Sequence, residues 1–180
     1  MWALPSITGY LFSKGIMTLT VLLDLDDTLL VNDINKFLPA YLQALSSFLD
    51  DLAPDETIRQ VMMATRQMEK NRDPSRTLEE VFDASFYPGL GVNKKDIWDK
   101  IVRFYTDVFP TLQKLTVPNP GAIDLVNYLF KKGHQVIIAT NPYFPRAATV
   151  HRLAWAGNCR AAFWHGFSGP SLGDSGFRCC

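Results

Sequence analysis

Val21-Leu22-Leu23-Asp24-Leu25-Asp26-Asp27-Thr28-Leu29 is the stretch whose reading decides the fold. Leu19 to Leu23, apolar but for Thr20, reads as a buried strand, and three carboxylates follow where that strand must end. In an open α/β sheet the carboxyl ends of the strands are where ligands bind. Acids crowded together at such a point repel one another, so a positive charge, most simply a divalent cation, is expected among them. The plainer alternative is an ordinary strand that runs into an Asp-rich turn.

The flanking sequence changes period. From Ile34 onward, Phe37, Leu38, Tyr41, Leu42, Leu45, Phe48, Leu49 and Leu52 recur at steps of three and four, the mark of a helix with one apolar face. Pro54 opens a second helix carrying Ile58, Val61, Met62, Thr65 and Met68, and residues 71–76 end it. Thr77 and Glu80 form a capping box for a short third helix through Phe86, with a turn at Pro88-Gly89 and Gly91. Asn93 caps a fourth, with Ile97, Ile101, Phe104, Tyr105 and Val108 inside. Residues 34–109 therefore read as an all-helical bundle of about four helices.

Residues 110–120, with prolines at 110, 118 and 120, read as a return linker. An amphipathic helix over 122–132 then stops at Gly133, and Gln135-Val136-Ile137-Ile138-Ala139 forms a second buried strand halted by Thr140-Asn141-Pro142. A further helix covers 146–156, with Gly157 after it. Residues 161–167 offer material for one more strand.

The spacing Asp-x-Asp-x-Thr at 24–28 resembles the first motif of the haloacid dehalogenase superfamily. PNPGAIDLVNYLFKKGHQVIIATNP, ending at Pro142, resembles that family's second-motif region. The resemblance runs from about Leu19 to Gly157, and two motifs in order with a cap-sized separation are more specific than either alone. It implies an α/β fold: a haloacid dehalogenase-like Rossmannoid parallel sheet, incomplete here, with an inserted all-helical cap bundle. The core would comprise residues 17–33 and 110–180, the helical cap 34–109, and residues 1–16 a non-core extension.

What the resemblance implies about function is a Mg²⁺-dependent phosphatase of a small phosphorylated metabolite. Asp24 would be the nucleophile that forms an aspartyl-phosphate, and Asp26 the acid that protonates the leaving alcohol and then deprotonates water. An acid at position 26 favours phosphate-ester hydrolysis over dehalogenation. Thr28 would tie down the loop, Thr140 and Asn141 would hold the phosphoryl oxygens, and Asp24 with the Asp26 carbonyl would hold Mg²⁺. Asp27 reads as a turn or capping residue.

The chain departs from the family pattern beyond the second motif. After Lys132 it has no lysine, and after Asp124 its only acid is Asp174. Arg146, at the start of the helix after Thr140-Asn141, is a candidate replacement for the missing charge. From Asn158 the character shifts to Gly, Ser and crowded aromatics, unlike family sequence. A second expectation follows: a truncated, non-catalytic relative acting through its helical cap. Strands missing from the far side of the first strand would leave its edge unpaired.

Composition adds exclusions. Eighteen basic and eighteen acidic residues balance, and no basic stripe suggests nucleic acid. No apolar run is long enough for a membrane, and residues 1–17 lack the features of a signal peptide. All three cysteines, Cys159, Cys179 and Cys180, lie near the end, which argues against a disulfide framework and for a cytoplasmic protein. The terminal Cys-Cys lacks the polybasic stretch expected of a lipidated end. Gly173-Asp174-Ser175-Gly176 is a chance match to a protease segment, and His134, His151 and His165 have no metal-ligand spacing. Met62, Met63 and Met68 read as core filler.

Overall fold

The computed structural model describes residues 18–141 and 143–157, and the backbone of 162–163. His165, Asp174 and the three cysteines of the tail lie outside the described residues, as do residues 1–17 and Pro142. The architecture is mixed α/β and mostly helical, with a small sheet of parallel strands. No helix among the described residues is long and apolar enough to cross a membrane.

The first strand, β1 (Thr20–Leu23), leads into the Asp-rich loop and then a short β2 (Leu30–Asn32). Asp33 caps α1 (Ile34–Phe48) by accepting a hydrogen bond from the Asn35 amide at 3.1 Å. Pro39 falls in the second turn of α1, where it forfeits one ladder bond. The helix survives because its other side buries Phe37, Tyr41, Leu42 and Leu45. Next come α2 (Pro54–Lys70) and α3 (Leu78–Leu90). The expected Thr77–Glu80 box is present: the Thr77 amide donates to Glu80 Oε2 at 2.8 Å, and the Glu80 amide donates to Thr77 Oγ1 at 3.2 Å.

The third helix does not stop at Phe86. Pro88 and Gly89 stay helical and the stop falls at Gly91, whose φ of 71° is the left-handed conformation that glycine adopts without strain. Gly89 is helical because it lets α3 close on Gln60 of α2; a Cβ there would sit 2.1 Å from Gln60 Oε1. Then α4 (Lys94–Arg103) runs into a π-helical turn (Phe104–Val108) and a 3₁₀ segment (Phe109–Leu115).

The segment read as a linker is thus a structured part of the core. Its Leu112 is buried, soon after the fully buried Phe109 of the preceding helical unit, and residues 116–118 form β3 (Thr116–Pro118). That strand pairs antiparallel with β2, Leu30 opposite Pro118 and Asn32 opposite Thr116. The prolines did not prevent this because Pro118 is exposed at the end of a two-stranded ribbon, where a missing N–H is tolerated.

After β3 the βα pattern resumes with α5 (Pro120–Lys131), β4 (Gln135–Ile138), α6 (Arg146–Trp155) and β5 (Ala162–Phe163). Strands β1 and β4 pair in parallel from Thr20–Gln135 to Leu23–Ile138, and β5 pairs in parallel with β4. Sheet order among the described residues is β1-β4-β5, so β1 is an edge strand and Leu22 is 62% exposed. The expected buried strand is therefore only half-buried.

One continuous apolar core joins sheet and helices, from Leu25 to Ala156. Its centre is aromatic. Phe109 stacks on Trp155 with ring centroids 5.4 Å apart, and Phe37 meets Phe109, Phe144 and Trp155 edge-on at 6.1–6.5 Å. Truncating a buried ring such as Phe37 to Ala costs about 3–5 kcal/mol.

Candidate active site

The parallel register carries Asp24 and Thr140 to one end of the sheet. Leu23 is opposite Ile138, and the Ala139 amide donates to the Leu23 carbonyl at 2.8 Å. Asp24 follows β1 directly and is exposed; Thr140, just past β4, is half-buried, and Asn141 is exposed. One oxygen of Asp24 accepts from the Leu25 amide at 2.7 Å, which holds the carboxylate against its own loop.

The loop after Asp24 is tightly built. The Leu30 amide donates to the Leu25 carbonyl at 3.0 Å and the Asp27 amide to the Leu30 carbonyl at 2.9 Å. Asp27 has a φ of 54°, a left-handed conformation that Asp tolerates better than most residues. Its carboxylate accepts from the Asn32 amide at 3.2 Å, the turn role read from sequence. Thr28 is exposed, and its main chain is what anchors the loop. Asn119 Nδ2 donates to the Thr28 carbonyl at 2.9 Å, and the Asn119 amide donates to the Leu29 carbonyl at 3.0 Å.

Asp26 faces inward to an arginine that sequence reasoning did not single out. Arg152 Nη1 donates to Asp26 Oδ2 at 3.1 Å and Nη2 donates to Oδ1, a two-pronged ion pair. Asn32 Nδ2 adds a long contact to Oδ1 at 3.5 Å. The Arg152 side chain is 4% exposed and that of Asp26 41%. Arg152 lies over the Phe37 and Phe144 rings, 5.5 and 5.2 Å from their centroids. Arg146, the cation expected to compensate, is exposed at the first turn of α6.

A signal for Arg152 exists in the sequence. Along α6 the buried positions are Ala148, Thr149, Arg152, Leu153 and Trp155, the three-and-four spacing of an apolar face. An arginine on that face must meet an acid inside, and Asp26 is that acid. Asn119, set between Pro118 and Pro120, carried no comparable signal, because its side chain's partner is the Thr28 carbonyl, 91 residues away.

The donors suit a magnesium ion only sparsely. Among the described residues no three His, Cys, Asp or Glu side chains group to hold a metal. Two hard oxygens are available: Asp24 has a second carboxylate oxygen, and the Asp26 carbonyl takes part in neither bond of the Asp26–Leu30 bridge. That set fits Mg²⁺, which keeps several waters and commonly binds through one or two carboxylates plus a substrate phosphate.

No protein-family model matches this chain, no curated protein matches it, and no solved structure matches it.

Proposed function

We propose that this chain is a haloacid dehalogenase-like hydrolase that removes phosphate from a small phosphorylated metabolite through an aspartyl-phosphate at Asp24. One observation carries the reading. Asp24 stands exposed at the carboxyl end of a parallel strand, with Asp26 two residues on and Thr140 at the end of the neighbouring strand. A carboxylate there can attack phosphorus in line, while the Thr140 hydroxyl and the Asn141 end of β4 hold phosphoryl oxygens. Asp26, once freed from Arg152, protonates the leaving alcohol and then takes a proton from the attacking water. Bound between the Asp24 carboxylate and the Asp26 carbonyl, Mg²⁺ would neutralise phosphate charge. The helical unit over 34–109 is proposed as the cap that restricts the substrate to a small molecule, and the cysteine distribution favours a cytoplasmic setting.

A second reading, a non-catalytic relative acting through its helices, is favoured by one observation: both Asp26 oxygens are engaged by Arg152. Hydrolysis of an aryl phosphate with and without Mg²⁺, compared with Asp24→Asn, separates the two. Magnesium-dependent turnover that disappears in Asp24→Asn supports the phosphatase. Cooperatively folded protein with no turnover overturns it.

A further inference from the structure

Arg152 is a buried cation paired with the Asp-rich loop, and its surroundings fix it in place. Phe37 comes from α1, Phe144 from the loop after β4, and Arg152 itself from the buried face of α6. With the Arg152 side chain 4% exposed and that of Asp26 41% exposed, the acid is the outer member of the pair. The fork is also incompletely satisfied. Arg152 Nε is buried without a hydrogen-bond partner among the described residues. A buried donor left unpaired is a cost that a carboxylate with two oxygens does not remove here.

We propose that the Arg152 guanidinium is the anion-binding group of this site, taking a phosphate-type oxyanion in exchange for the Asp26 carboxylate. The proposal rests on the phosphatase reading for the identity of the anion. A guanidinium fork matches carboxylate and phosphate alike, and phosphate brings an additional oxygen to a group with a donor to spare. Two anions on one guanidinium repel, so arrival of phosphate expels Asp26 toward solvent. The exchange places Asp26 free beside the anion, where the proposed chemistry needs an acid. It also supplies the positive charge of a lysine, of which the chain has none after Lys132; Arg146, the other described arginine there, lies exposed.

Binding of inorganic phosphate tests this without any need for turnover. Dissociation constants are measured by calorimetry at constant ionic strength for the native chain, Asp26→Asn and Arg152→Met. Removing the competing charge in Asp26→Asn tightens phosphate binding about tenfold or more, and Arg152→Met abolishes it. Equal constants in all three, or no binding to either the native chain or Asp26→Asn, overturn the proposal. If Arg152→Met does not fold, Arg152→Lys keeps the charge and loses the fork; binding about tenfold weaker is expected, and unchanged binding overturns it. Arg152-dependent phosphate binding without magnesium-dependent turnover would remove the phosphatase reading alone. Turnover with binding indifferent to Arg152 would remove this proposal alone.

Discussion

The Tyr41 and Tyr105 hydroxyls meet at 2.8 Å inside the aromatic core, one from α1 and the other from the π-helical turn. Each is the other's partner, so Tyr41→Phe leaves the Tyr105 hydroxyl buried and unpaired. That single change costs about 1–3 kcal/mol, whereas Tyr41→Phe with Tyr105→Phe costs less than the sum of the two. Chemical denaturation of the four proteins completes the cycle, and simple additivity would refute the pairing.

Burial pushes the Tyr41 hydroxyl up from 10.0 to about 12, with the Tyr105 hydrogen bond opposing the rise. The folded state then holds this proton more tightly than the unfolded chain. Its stabilisation is complete below pH 10.0 and is lost as pH climbs toward about 12, so the folded state weakens on the alkaline side. Melting temperature should fall across that window, and less steeply in the doubly substituted Tyr41→Phe, Tyr105→Phe protein.

Half-burial of His151 lowers it from its ordinary 6.5, partly offset by a hydrogen bond to the Tyr105 main chain. The unfolded chain therefore binds the proton more readily, and stability declines as pH falls below about 6.5. Thermal melts between neutral and mildly acidic pH should show this decline. In His151→Gln it should be shallower, and an unchanged slope would assign the effect elsewhere.

Asn119 ties α5 to the loop that carries Asp24 and Asp26. Asn119→Ala removes the 2.9 Å bond to the Thr28 carbonyl and keeps the main-chain bond to Leu29. The expected loss is about 1 kcal/mol, a drop in melting temperature of roughly 2–4 °C. Amide exchange should quicken at residues 25–30 while α2 and α3 are unaffected.

Gly89 faces Gln60, which is itself held by its Nε2 donating to Glu56 at 2.7 Å. Gly89→Ala gains helix propensity of about 1 kcal/mol, yet the new methyl meets the Gln60 amide at a distance no contact tolerates. The clash should dominate, because Gln60 is buried between α2 and α3. Adding Gln60→Ala to Gly89→Ala should restore stability to at least the level of Gln60→Ala alone; failure to do so would place the strain in the backbone.

Element type was legible wherever a period was long or a cap was local. The apolar stripe of α1, the Thr77–Glu80 box and the glycine after α5 each depend on residues within a few positions of one another. The segment 110–118 was not legible, because its prolines signal interruption while Leu112 is buried and residues 116–118 pair with a strand far off in sequence. The same holds for the site. Asp24, Asp26 and Thr140 announce themselves at the ends of strands, but the ion pair of Arg152 spans 126 residues. Only packing of α6 against α1 and the loop brings it about.

The pairing of β2 with β3 brings Asn32 opposite Thr116, so the helical segment between these strands begins and ends at neighbouring points. By connectivity alone, a short turn could replace residues 33–115. The aromatic core forbids the operation. Phe37, Phe104 and Phe109 belong to that segment, yet Trp155 and Phe144 of the sheet side rest on two of them. Excision would strand those rings in water. The helical segment is thus detachable in its wiring and inseparable in its energetics, and the two parts are expected to fold together.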